Sequence, residues 1–192
     1  MSGYGANSKD IKDVSYLGIG IHDATLSKVS IDPFTDKSEK VWDVIDFTFK
    51  GSQGEFTIRS FNPDDDTDDE KKGKNQVYIS NLIAYILKKI KNAEVEVPST
   101  LSSFTELKNW AIAQLGTNYM NIPLVIKLVG NVYNGKANVQ VTKYFGWLER
   151  KDSGKLPIFS KGEEAKNLEY NNFGSNKAAA TSEAESTDEV VF

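Results

Sequence analysis

The apolar residues of this chain change their spacing twice, and that change limits its folds more than any other feature. From Leu17 to Phe61 they recur mostly at every second position, from Val77 to Leu115 at every third or fourth, and from Leu124 to Trp147 at every second again. A period of two sends successive side chains to opposite faces of a strand, whereas a period near 3.6 gathers them on one stripe of a helix. Strands, a helical insert and further strands are therefore expected, in that order.

The first strand is expected over Val14 to Ile31, where Leu17, Ile19 and Ile21 alternate with Tyr16, Gly18 and Gly20. Asp32 to Asp36 reads as a turn. Val41 to Phe49 alternates with Asp43 as the one exception, Gly51 to Gly54 supplies a hairpin turn, and Glu55 to Phe61 returns. Asn62 to Asn75 reads as a charged loop. Val77 to Ile90 predicts an amphipathic helix with Lys88, Lys89 and Lys91 in its last turn. A second helix is expected from Phe104 to Leu115, capped by Ser102 or Ser103 and stopped by Gly116. Pro123 to Val132 and Ala137 to Leu148 predict a long hairpin about Asn134-Gly135, a dipeptide that accepts the positive φ of a tight turn. From Glu149 onward the chain reads as polar and irregular, with Leu156 to Phe159 and Tyr170 to Phe173 as its last anchors.

Residues 1–13 are expected to be a loose leader, 14–177 one domain with a two-helix insert at about 76–116, and 178–192 a disordered acidic tail. The fold class is mainly β with a helical insert. Five antiparallel strands interrupted by helix between the third and fourth is the order of an OB-fold, a small partly open barrel. A β-sandwich and a looser α+β sheet are the alternatives.

Net charge is −4, and its distribution matters more than the sum. Glu183, Glu185, Asp188 and Glu189 account for that −4, and six more acids form one run, Asp64 to Asp66 and Asp68 to Glu70. The rest of the chain is mildly basic. Cysteine is absent and the N-terminal residues have neither a basic nor an apolar stretch, so a cytoplasmic protein is expected. No apolar run reaches the length of about 18 residues needed to span a membrane.

Catalysis finds few parts here. Without cysteine, and with His22 as the single histidine, thiol chemistry and serine–histidine relays lack essential members. His22 reads as a structural or surface residue. Asp64, Asp66 and Asp68 have the alternate spacing of a calcium loop, but Asp69 stands where that loop needs glycine and Asn75 where it needs glutamate. The chain is expected to be no enzyme and to hold neither metal nor cofactor.

A binding surface is better supported. Single-stranded nucleic acid is held by cations along its phosphates and by aromatic faces on which bases stack. The second hairpin carries that mixture in Lys127, Tyr133, Lys136, Lys143, Tyr144, Trp147, Arg150 and Lys151, and Trp42, Arg59 and Phe61 offer it from the first sheet. Trp147 and Phe145 share a face with Val139 and Val141, which points them inward, so Tyr133, Lys136 and Tyr144 are the stronger surface candidates. The tail ends in Asp188, Glu189, Val190, Val191 and Phe192, acids followed by an apolar tip suited to a basic-rimmed pocket on another protein.

This combination resembles the bacterial single-stranded DNA-binding proteins and their phage-encoded counterparts, which join an OB-fold to a disordered acidic tail ending in phenylalanine. The matching residues are Asp188, Glu189 and Phe192, with Val190 and Val191 where the bacterial tip has isoleucine and proline. The resemblance implies sequence-tolerant protection of single-stranded DNA in replication or recombination, with the tail recruiting replication proteins. The helical insert is closer to a phage-encoded version. A virion or assembly protein with a β-barrel body, and a small regulatory protein binding a host protein, are the other expectations.

Overall fold

The computed structural model describes the backbone from Tyr16 to Glu185 and the side chains from Tyr16 to Phe173. The expected leader, residues 1–13, lies outside the described residues, as do residues 186–192 with the tip Asp188, Glu189, Val190, Val191 and Phe192.

The strands are β1 (Gly20–Ser30), β2 (Phe34–Thr35), β3 (Val41–Trp42), β4 (Val44–Gly51), β5 (Gly54–Phe61), β6 (Leu124–Tyr133), β7 (Lys136–Gln140) and β8 (Leu148–Arg150). Six of them form one antiparallel sheet in the order β5-β4-β1-β6-β7, with β8 also on β6, while β2 and β3 pair separately. The ladders among the described residues leave that sheet open, with no pairing between β5 and β7 to close it. The first expected strand is shorter than its alternation suggested. Leu17 donates its N–H to Glu55 O at 3.0 Å, and the chain then turns before β1 begins at Gly20, whose φ is +141°.

Three helices complete the domain: α1 (Asp69–Lys91), α2 (Phe104–Leu115) and α3 (Lys161–Glu185). None of the described helices is long and apolar enough to cross a membrane. In α1, Ile79, Leu82, Ile83, Ile86, Leu87 and Ile90 are buried at three- and four-residue spacing. Its start precedes the expected one because the acidic run builds it. Asp68 caps it by accepting from Lys71 N at 3.0 Å, and Asp69 and Glu70 occupy its first turn, where the helix dipole favours anions. Ser103 caps α2 and Gly116 ends it. These helices pack with Leu26, Phe47, Phe49, Leu124, Ile126 and Leu128 into the core.

Helix α3 corrects the expectation of irregular chain after Glu149, and it continues through Ala178 to Glu185, where disorder was expected. Ser160 and Glu163 form a reciprocal cap, Ser160 N donating to Glu163 Oε2 at 2.7 Å and Glu163 N to Ser160 Oγ at 3.3 Å. The helix docks on β6. Lys127 Nζ pairs with Glu163 at 2.9 Å, Gly130 N donates to Asn167 Oδ1 at 2.8 Å, and Tyr170 lies against Gly130. A Cβ at Gly130 would stand 2.5 Å from Tyr170 Cβ, so only glycine admits this approach. Burial pushes the Glu163 carboxyl up, but the Ser160 N–H and the Lys127 ammonium outweigh it and hold the carboxyl below its ordinary value.

The return of the second hairpin is interrupted. Gln140 faces Val129, and eight residues later Leu148 faces Ile126, only three residues back along β6, so five residues are looped out. The expected continuous strand Ala137 to Leu148 is instead β7, an excursion over residues 141–147, and β8.

Candidate nucleic-acid interface

The connection between β1 and β4 is folded into a small flap by one carboxylate. Asp36 Oδ1 accepts from Ser38 N at 2.8 Å, Ser38 Oγ at 2.6 Å and Lys40 N at 3.1 Å, while Oδ2 accepts Trp42 Nε1 at 2.8 Å. The hydroxyl of Ser38 and the indole of Trp42 hold this carboxyl at about 2, below its ordinary value. The flap pairs Phe34 with Trp42. Trp42 then meets Phe61 of β5 edge-on at 5.5 Å, and Lys40 Nζ lies 3.5 Å from the Trp42 ring centre. Aromatic pairs and ammonium–indole contacts of this kind each contribute about 0.5–1 kcal/mol at exposed sites.

Arg59 sits 3.6 Å from the Phe34 ring centre and gives both ends of its fork to Asp46, at 2.8 and 2.6 Å. Those hydrogen bonds raise its pKa. Its charge is spent on Asp46, so Arg59 supports the flap and offers phosphate little. Asp43, the exception in the alternation, anchors the flap from below: it forms an ion pair with the buried Lys108 of α2, and its carbonyl accepts Asn62 N at 2.8 Å.

On the second hairpin, Tyr133 (69% exposed) and Lys136 face each other across the Asn134-Gly135 turn. The looped-out residues present Lys143 and Tyr144, the latter 81% exposed. Their base is fixed by Tyr85 of α1, whose hydroxyl accepts Gly146 N and Leu148 N at 3.0 and 2.9 Å and donates to Leu148 O at 2.7 Å. Phe145 stacks on the Tyr85 ring at 4.8 Å, and burial pushes the Tyr85 phenol up. Gly146 carries a φ of +117°, which lets the chain turn back down from Tyr144.

Several expected surface residues are elsewhere. Trp147 is fully buried, between Tyr85 at 5.2 Å and Phe49 at 6.3 Å, so it is core. Lys127 is 5% exposed, held by Glu163 and by Ile158 O at 2.8 Å. Arg150 is paired with Asp152 and donates to Ile90 O, and Lys151 is paired with Asp23. His22 donates Nε2–H to Gly18 O at 2.9 Å, a structural bond.

The structure therefore separates the candidates into two groups. Trp42 and Phe61 share the flap, whereas Tyr133, Lys136, Lys143 and Tyr144 belong to the second hairpin. By strand register these groups lie toward opposite ends of β1, the flap beyond Ser30 and the hairpin tip beyond Gly20. Sequence reasoning passed over Phe34 and Lys40, although Lys40 stands two residues before Trp42 and next to the turn. Lys28, Lys37 and Lys50 are also exposed cations, with no ion pair among the described residues.

No protein-family model matches the chain, and no curated protein matches it. The class defined by fold and surface is an open antiparallel β-sheet protein with a helical insert and two exposed groups of aromatics and lysines.

Proposed function

We propose that this protein is a sequence-tolerant single-stranded DNA-binding protein of the OB type, phage-encoded and acting in the cytoplasm of a bacterial host. Read as an OB-fold, β1, β4, β5, β6 and β7 supply its five strands in the appropriate neighbour order. The flap then falls in the connection after the first strand and the Asn134-Gly135 tip in that between the last two, which are the loops such folds use for oligonucleotides. The observation that carries the proposal is the cluster of Lys40, Trp42 and Phe61 at the flap, an exposed cation over a half-buried indole that meets the exposed Phe61 ring edge-on. Tyr144 with Lys143, and Tyr133 with Lys136, extend the surface to further bases and phosphates. The tail tip from Asp188 to Phe192 would recruit replication or recombination proteins while the body protects the strand.

A second reading, a virion or assembly protein, is favoured by the outer face of β4 and β5. There Asp46 cancels Arg59, Lys50 stands opposite Glu55, and Thr48 meets Thr57 at 2.9 Å, leaving the face neutral. Tryptophan fluorescence separates the two. Adding oligo-dT to the full chain should quench emission, and Trp42→Phe should remove most of the quench, since Trp147 is buried and Trp110 is packed against the core from α2. Quenching that survives in Trp42→Phe would rule out the flap as the stacking site, and no quenching by any oligonucleotide would favour the assembly reading.

A further inference from the structure

A groove of about 730 Å³ runs between α1, the chain that follows it and the start of α2. Val77, Ala84, Val97 and Phe104 form its apolar lining, and Val77 is 63% exposed. Its walls are stapled. Asp64 Oδ1 accepts Gln76 Nε2 at 2.8 Å from α1, and Oδ2 accepts Phe104 N at 3.2 Å from α2. Two charged residues line it, Asp64 and Glu96, and no lysine or arginine does. Glu106 is not in the lining, and its carboxylate is bonded to Ser102 N at 2.6 Å. Along one wall, residues 94–97 belong to neither helix nor strand, and their backbone N–H and C=O groups make no hydrogen bond among the described residues.

We infer that this groove docks an extended segment of a partner protein in which apolar side chains alternate with lysine or arginine. The apolar lining supplies the contact area, and the unpaired backbone of residues 94–97 can pair with an incoming strand. Glu96, exposed and in no ion pair among the described residues, selects the cations, whereas Asp64 is already paired with Lys72 at 3.8 Å and holds the walls. The same charge disfavours other occupants: a nucleic acid would bring phosphates to Glu96, and the chain's own tip would bring Asp188 and Glu189. This site is independent of the DNA-binding reading and differs from the tail in the partner it selects, since the tail is an anion and seeks a basic pocket.

The test is fluorescence anisotropy with two labelled octapeptides, one alternating valine with lysine and the other valine with glutamate, added to the full chain at low salt. The lysine peptide should bind and the glutamate peptide should not. Glu96→Lys, at an exposed position without an ion pair among the described residues, should weaken the lysine peptide on the order of fivefold, as expected for reversing one surface charge. Ala84→Trp should fill the groove and abolish binding. A thermal melt of each variant checks that it is folded, and Glu96→Lys keeps the test valid if Ala84→Trp is not. The inference is overturned if the lysine peptide fails to bind, if both peptides bind alike, or if neither folded variant changes the binding.

Discussion

At the scale of single residues, the anomalies in the sequence pattern turn out to be joints. Asp43 interrupts the alternation of Val41 to Phe49 because it answers the buried ammonium of Lys108, a partner 65 residues away that no local pattern reveals. Asp43→Ala should cost on the order of 3 kcal/mol by leaving that charge unpaired. Lys108→Met, which keeps the stem and removes the charge, should cost less. Urea midpoints for the two variants check the order, and a larger loss for Lys108→Met would contradict it. Trp147 and Tyr144 make the opposite contrast. Trp147→Ala removes a fully buried ring and should lose about 3–5 kcal/mol. Tyr144→Ala removes an exposed one and should leave the urea midpoint unchanged while weakening oligo-dT binding about tenfold. Alternation alone pointed Trp147 inward correctly, yet it placed Lys127 among the surface cations because the Glu163 that buries it lies on a helix the pattern did not show.

At the scale of elements, α1 and α2 were legible because their buried faces are apolar, and the Asn134-Gly135 hairpin because its turn chemistry is local. Helix α3 was not, because its docking face is built from Glu163, Asn167 and Tyr170, which have helical spacing but no apolar period. Its one readable signal was the Ser160–Glu163 cap. The interruption between β7 and β8 was hidden for a different reason: the alternation of Val139, Val141, Phe145 and Trp147 continues through it, and Gly146 alone marks the break. Gly130→Ala should push α3 off β6 at a cost of about 1–3 kcal/mol, seen as faster hydrogen exchange in α3 than in α1. The docking of α3 should also depend on acid. Because the folded Glu163 carboxyl is held below its ordinary value, its contribution is complete above the unfolded carboxylate range and is lost as pH falls through the lowered folded value. Acidification should therefore speed exchange in α3 of the native chain, and Glu163→Gln should remove most of that dependence.

At the scale of the whole molecule, charge is sorted by surface. The flap and the second hairpin present lysines beside aromatic rings, the groove of the helical insert presents carboxylates, and the sequence ends in an acidic, apolar tip. A strand bound at the first surface leaves the second open to protein, which suits a molecule that coats DNA while other proteins dock. Deleting Asp188 to Phe192 should leave oligo-dT affinity unchanged or raised, and lost affinity in that truncation would contradict the division between body and tail. The most direct test of the central claim is fluorescence anisotropy of labelled oligo-dT titrated with the full chain at low and at moderate salt. Saturable binding that weakens as salt rises is the predicted result, since phosphate contacts release counterions. No rise in anisotropy at low salt would contradict the assignment as a single-stranded DNA-binding protein.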